Sequence, residues 1–305
     1  MRHRCFDFVR RANDARLPVL LRSKPICDRI LVPLNLLVVS SETPDQQEAR
    51  RRWVGEASHE TYASTIRQLA PDASISHCSC IDGSPLPSLT DIDGVLFAGS
   101  PIQMHEENDE TRAAARFGAA LFEAGAKAFG SCAGLQIAAV ASGGTCRPRR
   151  QSMEAGFARG IVATQAGRDH PMLSGRPLSW DAPAMHSSVV DTLGAGASVL
   201  AQTRSTFVEA AEIRSGRGIF WGVQYHPELT VSEIAATLRR QAGDLVEARM
   251  ARDEPSVESY ACLLDDLGSP GSPDIAWQVG IDEEITDPVK RTRELSNFLR
   301  FVADR

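Results

Sequence analysis

Apolar and polar positions alternate in blocks along this chain. "LNLLVVSS" at 34–41 is a short apolar run and predicts a buried strand. The charged stretch from Pro44 to Leu69 carries Trp53, Ala57, Tyr62, Ile66 and Leu69 at helical spacing. "ASISHCSC" alternates and predicts a second strand, and "DGVLFAGSP" at 93–101 predicts a third that ends in a turn. "NDETRAAARFGAALFEAG" reads as a helix, with Asn108 or Asp109 as its N-cap and Gly125 near its C-terminus. "AKAFGS" is a fourth strand, and a helix starts directly after Cys132. Strands that alternate with helices imply right-handed crossovers, so the expected class is α/β: a mainly parallel twisted sheet flanked by helices in three layers.

After Cys146 the pattern changes to strand-like pieces, "GIVATQ", "SVLAQT", "TFVEAAEI" and "GIFWGVQYH". The last runs into "HPELTVSEIAATLRR", where Thr230 and Glu233 have the spacing of a capping box, so a helix begins at about Val231. Three regions are expected. Residues 1–30 are an arginine-rich, poorly ordered or peripheral extension, 31–242 form the main domain, and 243–305 form a C-terminal extension. In that extension "LGSPGSPD" reads as a loop and "DPVKRTRELSNFLRFV" as a terminal helix folding back on the domain.

Composition narrows the function classes. The chain has 305 residues, 43% hydrophobic and 24% charged, which is enough to bury a full core. A net charge of −6 argues against a nucleic-acid binder, which would carry a basic surface. No apolar run approaches the roughly 20 residues that span a bilayer, and "LPVLL" is too short for the core of a signal peptide. A cytoplasmic location is the default expectation. Seven cysteines are scattered along the chain, an odd number that does not form a disulfide framework. Cys78 and Cys80 share a strand face and read as two small buried hydrophobes rather than half of a zinc site.

Cys132 stands apart. It lies in "GSCAG", between Gly130 and Gly134, where a strand turns into a helix. Gly-x-Cys-x-Gly is the cysteine counterpart of the Gly-x-Ser-x-Gly nucleophile elbow. Small neighbours let the turn approach strand and helix closely. The helix N-terminus favours a thiolate, and the N–H of Ala133 is free to stabilise an oxyanion. "YHPE" offers a base, His226, and a carboxylate, Glu228, able to hold the imidazole in one tautomer. A residue before proline avoids the helix, so His226 belongs at a strand end. Ligands of parallel sheets bind beyond the carboxyl ends of the strands, where "FAGSP" and "FGSCAG" both fall. His170 and His186 read as structural or substrate-adjacent, and His105 as part of a solvated charged loop. Trp53, Trp180, Trp221 and Trp277 read as core or interface residues.

"GSCAGLQ" and "YHPE" resemble the nucleophile and His-Glu motifs of the class I (triad) glutamine amidotransferases. "DGVLFAGSP", "DHPMLSG" and "APAMHSSVVDTLGAGASVLAQT" extend the resemblance over roughly 34 to 242, and the chain is similar to the stand-alone amidotransferases that resemble the glutaminase domain of GMP synthase. The resemblance implies that Cys132 attacks the side-chain amide of L-glutamine and forms a γ-glutamyl thioester. It implies His226 as base and acid and Glu228 as its partner. Backbone N–H groups of Gly99, Ser100 and Ala133 would form the oxyanion hole. Gln136, and the backbone near His186 and Ser187, would bind the substrate. No metal or organic cofactor is implied for this step.

Two positions depart from the family pattern. The turn reads Gly99-Ser100-Pro101 where Gly-Gly-Pro is usual, and His186-Ser187-Ser188 lacks the carboxylate of His-x-Asp. No glycine-rich phosphate loop of an ATP pyrophosphatase domain is present, so an acceptor enzyme would be a separate synthetase chain. One alternative is a γ-glutamyl hydrolase or peptidase acting on a small γ-glutamyl compound, with water completing the same chemistry. Another is a non-catalytic binding or regulatory protein, against which the intact Cys132, His226 and Glu228 argue.

Overall fold

A computed structural model describes residues 30, 32–150, 152–267 and 273–304. The expected N-terminal extension lies almost wholly outside the described residues, as does most of the expected "LGSPGSPD" loop. The chain opens with β1 (Asn35–Ser40), α1 (Pro44–Val54), α2 (Ser58–Leu69), β2 (Ser74–Ser79), β3 (Gly94–Phe97), α3 (Asp109–Ala124), β4 (Lys127–Ser131) and α4 (Ala133–Ala141). A strand-rich part follows: β5 (Thr145–Pro148), β6 (Glu154–Ala163), β7 (Ser179–His186), β8 (Ser188–Thr192), β9 (Ala197–Gln202), β10 (Ala210–Ser215) and β11 (Gly218–Val223). From there the chain is helical: α5 (Val231–Arg240), α6 (Ala242–Glu247), α7 (Glu254–Asp266), α8 (Pro273–Val279), α9 (Glu283–Thr286), α10 (Pro288–Arg291) and α11 (Arg293–Ala303).

Nine strands form one sheet in the order β2-β1-β3-β4-β11-β10-β9-β6-β7, and β5 pairs with β8 alongside. The pairs from β2 to β11 are parallel. From β11 to β7 the sheet continues antiparallel. Within the parallel part, β1, β3, β4 and β11 are buried on both faces, which explains their apolar runs, while β2 at the edge is exposed or half-buried and alternates. In β1, Leu36 and Val38 enter one core cluster while Leu37 and Val39 enter another on the opposite face. Helices α2 and α11 cover the first face, and α3 and α4 cover the second.

Several helix boundaries follow the local rules. Asn108 caps α3 by accepting from the Thr111 N–H at 2.9 Å, and Gly125 closes it in the left-handed conformation. Thr230 and Glu233 form the expected capping box of α5. The stretch at 44–69 is two helices rather than one, because Gly55 (φ 98°) ends α1. Helix α1 buries none of its residues, so Trp53 is exposed, as is Trp277, whereas Trp180 and Trp221 lie in the core. Trp53 and Trp277 are therefore not core residues: helical spacing shows a stripe, not which stripe meets the sheet.

The C-terminal segment packs on the sheet. Leu295, Phe298, Leu299 and Val302 of α11 are buried in the same cluster as β1 and β4 residues. Phe298 lies 5.7 Å from Phe129 and 6.1 Å from Trp221, ring centre to ring centre. Glu294, fully buried, holds Arg176 with two 2.7 Å contacts and accepts from the Tyr225 hydroxyl at 2.8 Å. A buried carboxylate is tolerated when it is paired in this way. Tyr225 adjoins His226 in the chain, so the terminal helix braces the strand end that carries that histidine. No helix among the described residues is long and apolar enough to cross a membrane.

Candidate active site

Cys132 sits at the junction of β4 and α4 with φ 49° and ψ −103°, a region that non-glycine residues rarely enter. Its N–H is fixed by Val223 O at 2.8 Å across the β4–β11 pair. The flanking glycines are steric requirements. A Cβ at Gly134 would lie 2.7 Å from Phe97 Cβ, and one at Gly130 would lie 2.8 Å from Phe220 Cζ. Helix α4 can thus start directly against β3 and β4, with Cys132 exposed by only 5% at its tip. Ala133 is the first residue of α4, so its N–H has no partner within the helix.

His226 reaches Cys132 from the end of β11. Its N–H donates to Pro183 O at 2.7 Å, which anchors the backbone. Its Nδ1 lies 2.7 Å from Glu228 Oε1. Burial would lower the imidazole pKa. The Glu228 charge and hydrogen bonds with Cys132 and Glu228 outweigh burial and raise it to about 10. The imidazole is therefore protonated at neutral pH, between a sulfur and a carboxylate.

Glu228 has a second partner that sequence reading missed. Ser131, the residue before Cys132, donates its hydroxyl to both carboxylate oxygens at 3.0 Å. Tyr62 of α2, fully buried, places its hydroxyl against Ser131 Oγ. The sequence contained only a weak signal for these two residues: Tyr62 lay on the apolar stripe of a helix, and Ser131 looked like one more small residue.

Gly99 and Ser100 close the site from the end of β3. Gly99 lies so near His226 that a Cβ there would stand 2.5 Å from the ring Cε1. Ser100 has no positive φ, so the Gly-Ser-Pro turn does not demand a second glycine. The Ser100 hydroxyl is bonded to Ser41 Oγ at 2.7 Å and accepts from the Ile102 N–H at 3.3 Å.

A cleft of about 90 Å³ beside Cys132 is lined by Gln103, Gln136, Met153, His186, Ser187 and Ser188, among others. Gln136 is less free than expected. Its amide donates to Ser188 O (3.0 Å) and Gln224 Oε1 (3.3 Å) and accepts from Ser188 Oγ (2.5 Å). His186 is bonded to a carboxylate from another strand. Glu154 of β6 lies opposite His186 in register and bonds its Nε2 at 3.0 Å. Arg149 holds the same carboxylate at 2.7 Å. Burial raises the Glu154 pKa, but His186 and Arg149 together hold it below the usual value. His170 is bound to Glu212 at 3.1 Å and packs its edge on Trp221. His105 lies in the loop before α3, away from these residues in the chain and partly buried. Burial pushes the Cys80 and Cys146 thiols up to about 12 and Cys78 up to about 11.

Fold and site define an α/β protein with a Cys–His–Glu constellation beyond the carboxyl ends of parallel strands. The family model described as glutamine amidotransferase class-I matches residues 60–242. The chain is 35% identical over 219 residues to γ-glutamyl-L-1-hydroxyisopropylamide hydrolase of a Pseudomonas species, covering 70% of this chain and 74% of that one. It is 27% identical over 183 residues to the glutamine-hydrolysing GMP synthase of Thermomicrobium roseum, covering 59% of this chain and 32% of that enzyme. The chain thus spans about a third of that synthase. In fold it is similar to a glutamine amidotransferase structure from Thermotoga maritima (TM-score 0.61, 12% identity, 89% of this chain and 99% of that one). The chain belongs to the class-I glutamine amidotransferase family, and it is an amide-hydrolysing enzyme.

Proposed function

We propose that this protein hydrolyses the γ-amide bond of glutamine and related γ-glutamyl amides through a thioester on Cys132. The observation that carries this reading is the hydrogen-bonded line from Cys132 through His226 to Glu228, set at a strained turn beside a polar cleft. Cys132 Sγ, paired with the His226 imidazolium, adds to the γ-carbonyl carbon. The carbonyl oxygen becomes an oxyanion, which the backbone N–H groups of Ala133 and of the Gly99–Ser100 turn stabilise. The C–N bond then breaks as His226 gives its proton to the leaving nitrogen. Water next gives a proton to His226 and adds to the thioester. The S–C bond breaks, the thiolate returns beside the imidazolium, and glutamate leaves. When the leaving group is ammonia, a separate synthetase chain is its expected acceptor.

The test is glutamate release from L-glutamine and from a γ-glutamyl alkylamide, with mass spectrometry of the quenched enzyme. The expected result is release of glutamate and a γ-glutamyl adduct on Cys132. Turnover with no adduct, undiminished in Cys132→Ala, would sink the reading.

Two further outcomes follow from the geometry. Gly99→Ala should lower kcat/KM about 100-fold, because the new methyl group displaces the His226 ring and misplacing a catalytic group by about 1 Å costs that much. A variant with wild-type kcat/KM would show that His226 does not act from this position. The second outcome concerns pH. His226 has a raised pKa in the folded protein, so its ion pair with Glu228 contributes fully below about 6.5 and is lost as pH rises through about 10. Proton donation to the leaving group should therefore persist through neutral pH and fall in that alkaline range. Glu228→Gln removes the charge that opposes burial, so the alkaline limb of the kcat/KM profile should move down by about 2 pH units. An unmoved limb would mean that another group sets it.

A further inference from the structure

The site has two sides. The cleft lined by Cys132, His186 and Ser188 lies on one side of a wall formed by Ser100, Pro101, Met185 and Gln241. Beyond that wall lies a second cleft of about 100 Å³, lined by His226, Glu228 and Gly99 and, further out, by Glu42, Arg50 and Arg240. In the chemistry proposed above, the acyl carbon must meet Cys132 and the leaving nitrogen must meet His226. The substrate therefore crosses the wall, with its glutamyl half in the first cleft and its amine half in the second.

Size and charge then bear on the amine. Ammonia is about the size of water, which needs only about 10–15 Å³ on this measure of space. The second cleft has several times that room, enough for a substituted amine. Its charged groups are largely engaged. Glu42 accepts from Ser58 N at 3.0 Å and from Ser58 Oγ at 2.7 Å. Glu228 serves His226 and Ser131. Arg50 contacts Thr61 Oγ1 at 2.9 Å and Glu233 at 3.6 Å. Arg240, at the end of α5, makes no hydrogen bond or ion pair among the described residues. At the wall itself, Gln241 Oε1 is buried with no hydrogen-bond partner among the described residues. A buried orphan acceptor is costly, and an amide N–H crossing the wall would satisfy it.

We propose that the cleft beside His226 binds the amine half of a γ-glutamyl amide, and that Arg240, backed by Arg50, selects amines carrying a carboxylate. Gln241 accepts the N–H of the scissile amide as it crosses the wall. The substrate class is then γ-glutamyl amino acids rather than glutamine alone. Guanidinium suits this role because its planar fork matches a carboxylate with two parallel hydrogen bonds. This inference rests on the proposed γ-glutamyl hydrolysis and adds the identity of the leaving group.

The experiment compares kcat/KM for three substrates that differ only in the leaving amine: γ-glutamylglycine, γ-glutamyl ethanolamide and γ-glutamyl ethylamide. Each is run with the wild-type chain, Arg240→Gln and Arg240→Lys. The expected result is at least a 10-fold preference for γ-glutamylglycine over both neutral amides. That ratio should collapse towards one in Arg240→Gln and be partly restored in Arg240→Lys. A general folding defect would slow all three substrates together and leave the ratio unchanged. Turnover of all three with no preference, or a preference that Arg240→Gln leaves intact, overturns the inference while the parent reading stands. Absence of turnover of all three and of L-glutamine overturns the parent reading, and this inference with it.

Discussion

Cys132→Ala should reduce glutamate release from L-glutamine and from γ-glutamyl amides by at least about 10⁴-fold, the loss expected when a covalent nucleophile is removed. The barrier change is large because, among the described residues, Cys132 is the only cysteine that lines either cleft. Cys80 and Cys146 are held protonated by burial, with pKa values of about 12. Among the described cysteines, Cys132 alone lies at a strained strand-to-helix turn with an imidazolium beside it. The fold should survive the change. The alanine keeps Cβ, and Sγ makes only a long 3.9 Å approach to Met185 O besides its bond with His226. Stability should therefore shift by no more than about 1 kcal/mol. Rates measured beside a Cys146→Ala control decide the matter. A Cys132→Ala chain retaining more than about a tenth of the wild-type rate would refute a thioester at this residue.

Phe298→Ala should cost about 3–5 kcal/mol, the range for emptying a buried aromatic site. Phe298 has essentially no exposed surface and touches the rings of Phe129, Trp221 and Phe301. Those neighbours belong to β4, β11 and α11 itself, so the cavity would open between the terminal helix and the centre of the sheet. Urea unfolding measures the change as a lowered midpoint at constant slope. We propose from this packing that α11, at the end of the expected C-terminal extension, completes the main core. A cost under about 1 kcal/mol would instead mark α11 as a loosely attached appendage. Activity should suffer as well, because Glu294 on the same helix holds Tyr225, the neighbour of His226.

Much of the site was legible in the sequence because it follows from local rules. A cysteine between glycines at an apolar strand end specifies a turn in which only small neighbours fit, and the contacts at Gly130 and Gly134 show why. A histidine before proline must leave the helix, which put His226 at a strand end with Glu228 two residues on. The caps at Asn108 and Thr230 were readable for the same reason, since donor and acceptor lie within one turn. Gly55 shows where such reading stopped. Its left-handed conformation splits one apparent helix into two, and apolar spacing alone did not reveal the break.

The rest depended on register and on distance along the chain. Ser131 meets Glu228 97 residues away, and Tyr62 meets Ser131 from a helix 69 residues earlier. Glu154 supplies the carboxylate for His186 only because β6 and β7 pair with those two residues opposite each other. A shift of one residue would turn that carboxylate to the other face. By itself, the sequence determined the α/β class, the elbow at Cys132 and the pair His226 and Glu228, because these rest on steric rules acting within a few residues. Only the tertiary structure decided which side chains brace that pair, which carboxylate bonds His186, and that a second cleft opens beside His226, lined in part by Arg240, which makes no hydrogen bond or ion pair among the described residues. Those depend on how distant segments pack, and no local pattern encodes a contact between residues whose separation in the chain is set by the fold.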